Sequence, residues 1–316
     1  EGGSGIVSSS SIYPILEQLL LMAVLIALGF YLKRSDKIKQ AAEKGIAELT
    51  IDIAFPALIF TNIVKDFNLN MLKKYLVMPL SSFIITLSSI IIIILITRLL
   101  NYPKKERNEL AFVTSFSNNI FVGAPICLAV FGGQGLILAI FYDFGMHLVV
   151  WTFGIWLLND NKQNNQSHFL KNIFSPPIIA LLISIIVVII GIEIPDFLIN
   201  ITENIGNITV PLAMIFIGLQ LAKSRFKEII INRKIYLVSF LRLLFFPGLV
   251  YFVLSYFSLP ALLSGVITLL SAMPVFASSP VIMQKYGHKG DFASEAIFST
   301  IILMIFTIPF FIYILI

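Results

Sequence analysis

The stretch Phe116-Ser-Asn118-Asn119-Ile-Phe-Val-Gly123-Ala-Pro125-Ile-Cys-Leu-Ala-Val-Phe131-Gly132-Gly-Gln-Gly135 decides how this chain folds. It is apolar enough to lie in a membrane, yet it carries two amides, a glycine and a proline where a membrane helix should run unbroken. Proline removes a helical hydrogen bond and its ring clashes with the preceding turn, so a break is expected there. The pattern returns 155 residues later, where Pro125 to Gly135 matches Pro280-Val-Ile-Met-Gln-Lys-Tyr286-Gly287-His-Lys-Gly290. The same shift carries Pro56, in Phe55-Pro56-Ala-Leu-Ile-Phe60, onto Pro211, in Val210-Pro211-Leu-Ala-Met-Ile215-Phe216. Two separate segments sharing one offset mark an internal repeat.

Composition sets the medium. Of 316 residues, 58% are apolar and 12% charged, against about 45–50% and about 25% in soluble domains. A soluble enzyme is excluded, and continuous apolar runs argue against an outer-membrane barrel, whose strands alternate. The expectation is an all-α polytopic membrane protein, because a helix satisfies its own backbone hydrogen bonds in lipid. The lone Cys127 offers neither a disulfide framework nor a Cys/His metal spacing, so no metal and no other cofactor is expected. The net charge of +5 comes from short basic clusters between apolar runs, where they orient helices in a bilayer. Nucleic acid is not an expected partner.

A hydrocarbon core of about 30 Å needs about 20 apolar residues, and ten runs qualify: 12–32, 46–64, 75–99, 110–131, 136–158, 175–192, 205–222, 235–257, 259–285 and 292–316. The first is longer than the apolar region of a signal peptide and lacks its basic flank and cleavage site, so it reads as a true span. Threading the runs alternately with the N-terminus outside places 18 of the 22 Lys and Arg inside, including Lys162, Lys171, Lys223, Arg225 and Lys227. Only Lys65, Lys73 and Lys74 fall outside, and Arg242 lies within a span. The positive-inside rule therefore predicts a multi-pass protein of the cell (inner) membrane, bathed in lipid, with both termini external. Residues 1–11 read as an external segment or scar, 12–158 as the first repeat, 159–174 as a polar cytoplasmic linker and 175–316 as the second repeat.

Each repeat holds five spans, an odd number, so the halves must sit in opposite orientations. Inverted repeats characterise secondary transporters. The fourth and ninth spans carry the interruptions, Asn118-Asn119 with Gly123 and Pro125 in one, Pro274 with Ser278, Ser279 and Pro280 in the other. Ser279 before Pro280, and Gly123 or Ala124 before Pro125, suit a helix N-cap followed by proline at the first helical position. Half-helices starting near the midplane would turn positive dipole ends toward an anion.

Asn118-Asn119 with Gly-x-Pro and Phe-Gly, Pro211-Leu-Ala with Gly218-Leu-Gln-Leu-Ala222, and Met273-Pro274 with Tyr286-Gly287 resemble the auxin efflux carrier family. This family contains the plant PIN-formed auxin exporters and bacterial malate and malonate permeases, and the chain looks like a bacterial homologue. The resemblance covers essentially the whole sequence. It implies a ten-helix, Na⁺/H⁺-antiporter-like crossover fold with broken helices 4 and 9. It further implies an elevator mechanism, a homodimer and carboxylate substrates such as malate, malonate or an indole acid. By the same resemblance spans one, two, six and seven form the scaffold and dimer face, and an Asn beside the crossover proline holds the substrate carboxylate. Asn118 and Asn119 are the matching positions, although Pro125 follows six residues after Asn119.

Four charged residues are expected inside the membrane. Asp143 and His147 lie four apart in span five, on one helical face. They form either a proton-coupling pair or a hydrogen-bonded structural pair, and the repeat-related Phe298 and Ile302 show no matching polarity. Asp52 and Arg242 sit at similar depths and either pair, draw an anion inward, or leave Arg242 to snorkel. Gln220 and Thr61 either line a cavity or tie helices together.

Three rival functions follow. A cation/proton antiporter needs a titrating carboxylate where this chain has Asn. A bile-acid-type sodium symporter, or another Na⁺- or H⁺-coupled carrier, fits the architecture. An intramembrane aspartyl protease needs two carboxylates sharing a proton, yet Asp291 lies in a loop rather than in a span.

Overall fold

The computed structural model describes residues 12–66, 75–159, 176–222 and 232–315. The expected segment 1–11, linker residues 160–174 and the cations Lys73, Lys74, Lys162, Lys171, Lys223, Arg225 and Lys227 lie outside the described residues. In chain order the helices are α1 (Ile12–Arg34), α2 (Gln40–Leu49), α3 (Phe55–Asp66), α4 (Val77–Leu99), α5 (Lys104–Ser115), α6 (Ala124–Val149), α7 (Ile155–Leu158), α8 (Pro176–Ile190), α9 (Asp196–Asn207), α10 (Thr209–Leu221), α11 (Arg233–Phe240), α12 (Phe246–Leu254), α13 (Ala261–Ser271), α14 (Ser279–Lys285) and α15 (Asp291–Leu315). Among the described residues, the only pairing outside helices is one isolated antiparallel bridge.

Widened π turns at Thr50–Ala54, Asn119–Gly123 and Leu241–Phe245 lead into α3, α6 and α12. Each ends two residues before a proline: Pro56, Pro125 and Pro247. Proline has no N–H to give and crowds the carbonyl one turn back, and a π turn relaxes both demands. The break expected at Pro125 is therefore absorbed in a wide turn, and the helix is interrupted earlier, at Phe116 to Asn118.

Among the described residues, six helical runs are long and apolar enough to cross a membrane: Gln40–Lys65, Val77–Leu99, Asn119–Leu158, Asp196–Leu221, Arg233–Leu254 and Asp291–Leu315. Pro176–Ile190 and Ala261–Ser271 are shorter apolar helices. The protein is thus a multi-pass membrane protein. The run Asn119–Leu158 has 40 residues, which at 1.5 Å each would be about twice the hydrocarbon thickness. Gly132 folds it, at φ +66°, a conformation that only glycine adopts readily, within the gap expected between spans four and five. Three helices begin at least six residues earlier than expected, at Gln40 rather than Ile46, at Lys104 rather than Leu110 and at Asp196 rather than Ile205. Their first turns carry Glu43, Glu106 or Asp196, and apolar length measures lipid thickness rather than helix length.

The chain gathers into two compact units, each drawing on both predicted halves. Unit one comprises residues 1–77, 120–141 and 170–223, and unit two comprises 78–119, 142–169 and 224–316. In unit one α1 lies against α10 backbone to backbone: a methyl group added to Gly29 would overlap the Ile215 carbonyl, and one added to Gly218 the Ile26 carbonyl. Small residues permit such approaches where the hydrophobic effect gives helices no mutual attraction. Thr61 ties α3 to α9, its hydroxyl donating to Thr202 Oγ1 at 2.8 Å, so the helix-tying reading holds for it. Gln220 instead lines a cavity of about 480 Å³ with Gln40, Glu43, Lys44 and Phe216.

Candidate functional site

Within unit two, two helices stop in apolar sequence. α5 ends at Ser115, and Phe116 is extended at φ −98°, ψ 128°. α13 ends at Ser271, and α14 begins only at Ser279. The non-helical residues between pair with each other. Ser117 bridges Val275, Asn118 N donates to Pro274 O at 2.9 Å, and Phe276 N donates to Phe116 O at 3.0 Å.

Interrupting a helix in an apolar interior frees backbone groups that must find partners. Val275 N donates to Thr300 Oγ1 at 3.2 Å, and that hydroxyl donates onward to Ala296 O at 2.7 Å. Ser117 N turns to the Met146 thioether at 3.3 Å. Arg242 satisfies the carbonyls: Nε donates to Met273 O at 2.8 Å, and Nη1 to Thr114 O and Ser115 O at 3.4 and 3.3 Å. Those oxygens end α5 and follow α13, where helix dipoles leave partial negative charge. The guanidinium is 4% exposed, so it does not snorkel. It spends its donors inside its own unit as a clamp on two chain segments.

Several polar atoms at the crossing lack partners. Asn119 is 1% exposed; its Nδ2 reaches only Met146 Sδ at 3.4 Å, and its Oδ1 accepts no hydrogen bond. The hydroxyls of Thr114, Ser115, Thr268 and Ser279 are likewise buried without a partner. The N-cap of α14 falls on Ser278, one residue before the expected Ser279, and its side chain makes no capping bond. Ser278 is exposed, while Pro274 and Asn118 are buried. Gly123 and Pro125, both buried, belong to unit one.

Asp143 and His147 belong to unit two and meet as expected. His147 Nδ1 lies 3.0 Å from Asp143 Oδ2 and 3.0 Å from the Asp143 carbonyl oxygen. The imidazole packs edge-on against Phe276 at 5.7 Å between ring centres. Asp52, in the Thr50–Ala54 turn of unit one, is exposed. Asp291 opens α15 and is exposed, whereas Asp143 is buried in α6, and among the described residues no contact joins them into an acid pair.

Sequence reasoning missed three contributors and one pair. Met146, Thr300 and the carbonyl of Met273 complete the crossing, and nothing distinguishes a helical methionine or threonine in an apolar run. The pair is His288, whose Nδ1 lies 2.8 Å from Glu109 Oε1 while Nε2 lies 2.9 Å from Leu158 O.

A family model described as membrane transport protein matches residues 14–312. The chain is similar to an uncharacterized transporter of Methanothermobacter thermautotrophicus, 26% identical over 293 residues, 93% of this chain and 96% of the relative. It is also similar to an uncharacterized transporter of Methanocaldococcus jannaschii, 28% identical over 217 residues, 67% of this chain and 70% of the relative. An uncharacterized transporter of Schizosaccharomyces pombe is 28% identical over 110 residues, 35% of this chain and 24% of that protein.

Proposed function

Because the chain belongs to the membrane transport protein family, that of the auxin efflux carriers, we propose that it is a secondary transporter of a small organic anion bound at the crossing. The substrate class is a carboxylate such as malate, malonate or an indole acid. The observation that carries this reading is the hydrogen-bonded crossing of 116–118 and 274–276. Two segments chosen from sequence as the interrupted ones lie against each other there.

The chemistry around the crossing suits a carboxylate. Arg242 is a buried cation whose hydrogen bonds go to carbonyls, and among the described residues no carboxylate forms an ion pair with it. Asn119 spends its donor on a thioether, a weak acceptor. A carboxylate offers that amide a stronger partner, and the unpartnered hydroxyls of Ser115 and Ser279 can donate as well.

In this reading the ten spans form two inverted five-helix repeats with the fourth and ninth interrupted. Spans one, two, six and seven, all within unit one, are the scaffold and homodimer face, and the remaining spans carry the crossing across the cell membrane, both termini remaining external. The interleaved division of the chain into two compact units supports such an elevator. The test is uptake of labelled malate, malonate, citrate and indole-3-acetate into proteoliposomes, with and without Na⁺ or a pH step, against Asn119→Ala. Saturable uptake of one acid, weakened tenfold or more in the variant, is expected. Indifference to every acid together with Na⁺ or proton flux alone overturns the reading in favour of a cation carrier.

A further inference from the structure

We infer that transport is coupled to protons and that Asp143 and His147 together form the proton-binding site. The inference rests on the transport reading above and names its coupling ion. It starts from which atoms of the pair must already carry hydrogen. His147 Nδ1 faces two oxygens at 3.0 Å, the main-chain carbonyl of Asp143 and its Oδ2. A carbonyl oxygen only accepts, so Nδ1 carries a hydrogen that the two oxygens share. Two positions remain for a further proton: Nε2 of His147, and Oδ1 of Asp143, which is buried and accepts no hydrogen bond.

The charge count then follows. A carboxylate beside a neutral imidazole carries one net negative charge, and Asp143 is 4% exposed. One proton, on either open position, makes the pair neutral. An isolated charge at membrane depth is costly, so the pair has capacity for one proton and a reason to take it. A hard cation is a poorer match, since it requires several oxygens and His147 directs an N–H at Oδ2.

The pair is also wired to the crossing. Met146, next to His147, receives Ser117 N, Ser117 Oγ and Asn119 Nδ2 on its sulfur. His147 itself packs against Phe276. One turn of α6 thus touches both extended segments. The other charged or titratable groups nearby are Arg242, clamped on carbonyls, and Tyr142, which is within electrostatic reach of Arg242. Among the described residues no other charged side chain forms an ion pair with Asp143 or His147.

Neutralising the pair removes a negative charge from beside the place where a carboxylate binds, so proton and anion binding favour each other. By reciprocity each raises the other's affinity by the same factor, typically about 5- to 150-fold. Because the repeat-related Phe298 and Ile302 are apolar, the second repeat does not duplicate the pair, and one proton accompanies each substrate.

The experiment uses the full chain in liposomes loaded with a pH-sensitive dye, following labelled carboxylate uptake and lumen pH together. The wild type is expected to take up substrate faster as external pH falls and to acidify the lumen by one proton per substrate. Asp143→Asn keeps an oxygen for His147 Nδ1, and its uptake is expected to ignore pH and leave the lumen unchanged. His147→Gln, which keeps the carboxylate, is expected to flatten the pH dependence. Wild-type uptake without proton movement, or Asp143→Asn protein that still acidifies the lumen, overturns this inference and leaves the transport reading standing. Wild-type protein that takes up none of the carboxylates overturns both.

Discussion

Two histidines in unit two each face a carboxylate, His147 with Asp143 at 3.0 Å and His288 with Glu109 at 2.8 Å. The contacts are nearly alike in length, and what surrounds them differs. His288 uses both ring nitrogens, Nδ1 on α5 and Nε2 on the carbonyl of Leu158 at the end of α7. The ring is 5% exposed and joins segments 179 and 130 residues away in sequence. His147 bonds only within its own helix turn and leaves Oδ1 of Asp143 without a partner. A histidine whose two nitrogens are both committed is a fastener. One with an open position beside an orphan oxygen can change its proton count without dismantling packing.

The largest effect that would sharpen this contrast is on stability. His288→Ala leaves Glu109 and Leu158 O without their donor, and orphaning buried polar partners costs about 1–3 kcal/mol per group. The thermal unfolding midpoint in detergent should drop by several degrees, while the pH dependence of carboxylate uptake keeps its shape. A displaced pH profile with unchanged melting would break the comparison, because His288 would then be the titrating member.

The complementary change is smaller in stability and larger in function. His147→Gln removes bonds made only within one helical turn, so unfolding should move by less than about 1 kcal/mol, in the range of polar contacts between membrane helices. Protein that melts far earlier would show that His147 holds α6 in place and that proton counting is secondary.

The two pairs also mark where sequence reading succeeds. Asp143 and His147 stood out because charge at mid-span is costly and four-residue spacing places both on one face. His288 lies in a loop, and its partners are distant in sequence, one of them a carbonyl that no side-chain pattern reveals. The same holds at the crossing. Asn118, Asn119 and Pro274 were legible as polar or ring-bearing residues in apolar runs. Arg242 was legible as a buried cation, but not as the clamp on Met273, Thr114 and Ser115, because its acceptors are backbone. Met146 and Thr300 carry no signal at all. Helix starts at Gln40, Lys104 and Asp196 were missed because apolar length was read for helix length. The two compact units interleave both repeats, and spatial grouping has no linear signature.

The smallest effect supplies the yardstick for the others. Thr61 and Thr202 form an uncharged hydrogen bond between α3 and α9 at 2.8 Å, with Thr202 Oγ1 also donating to Ile199 O at 3.0 Å. When either is replaced by valine the other can turn back on its own helix, as serine and threonine hydroxyls commonly do. The double-mutant cycle of Thr61→Val and Thr202→Val should therefore give a coupling near the average for such bonds in membrane proteins, about 0.6 kcal/mol. Glu109→Gln with His288→Gln, measured the same way, should couple more strongly, because the contact joins a carboxylate to an imidazole at 2.8 Å and charge-assisted bonds are the stronger ones. Equal couplings would mean that the charge at Glu109 adds nothing beyond an ordinary interhelical bond. His288 would then be one tie among many, and the contrast with His147 would rest on the open proton position alone.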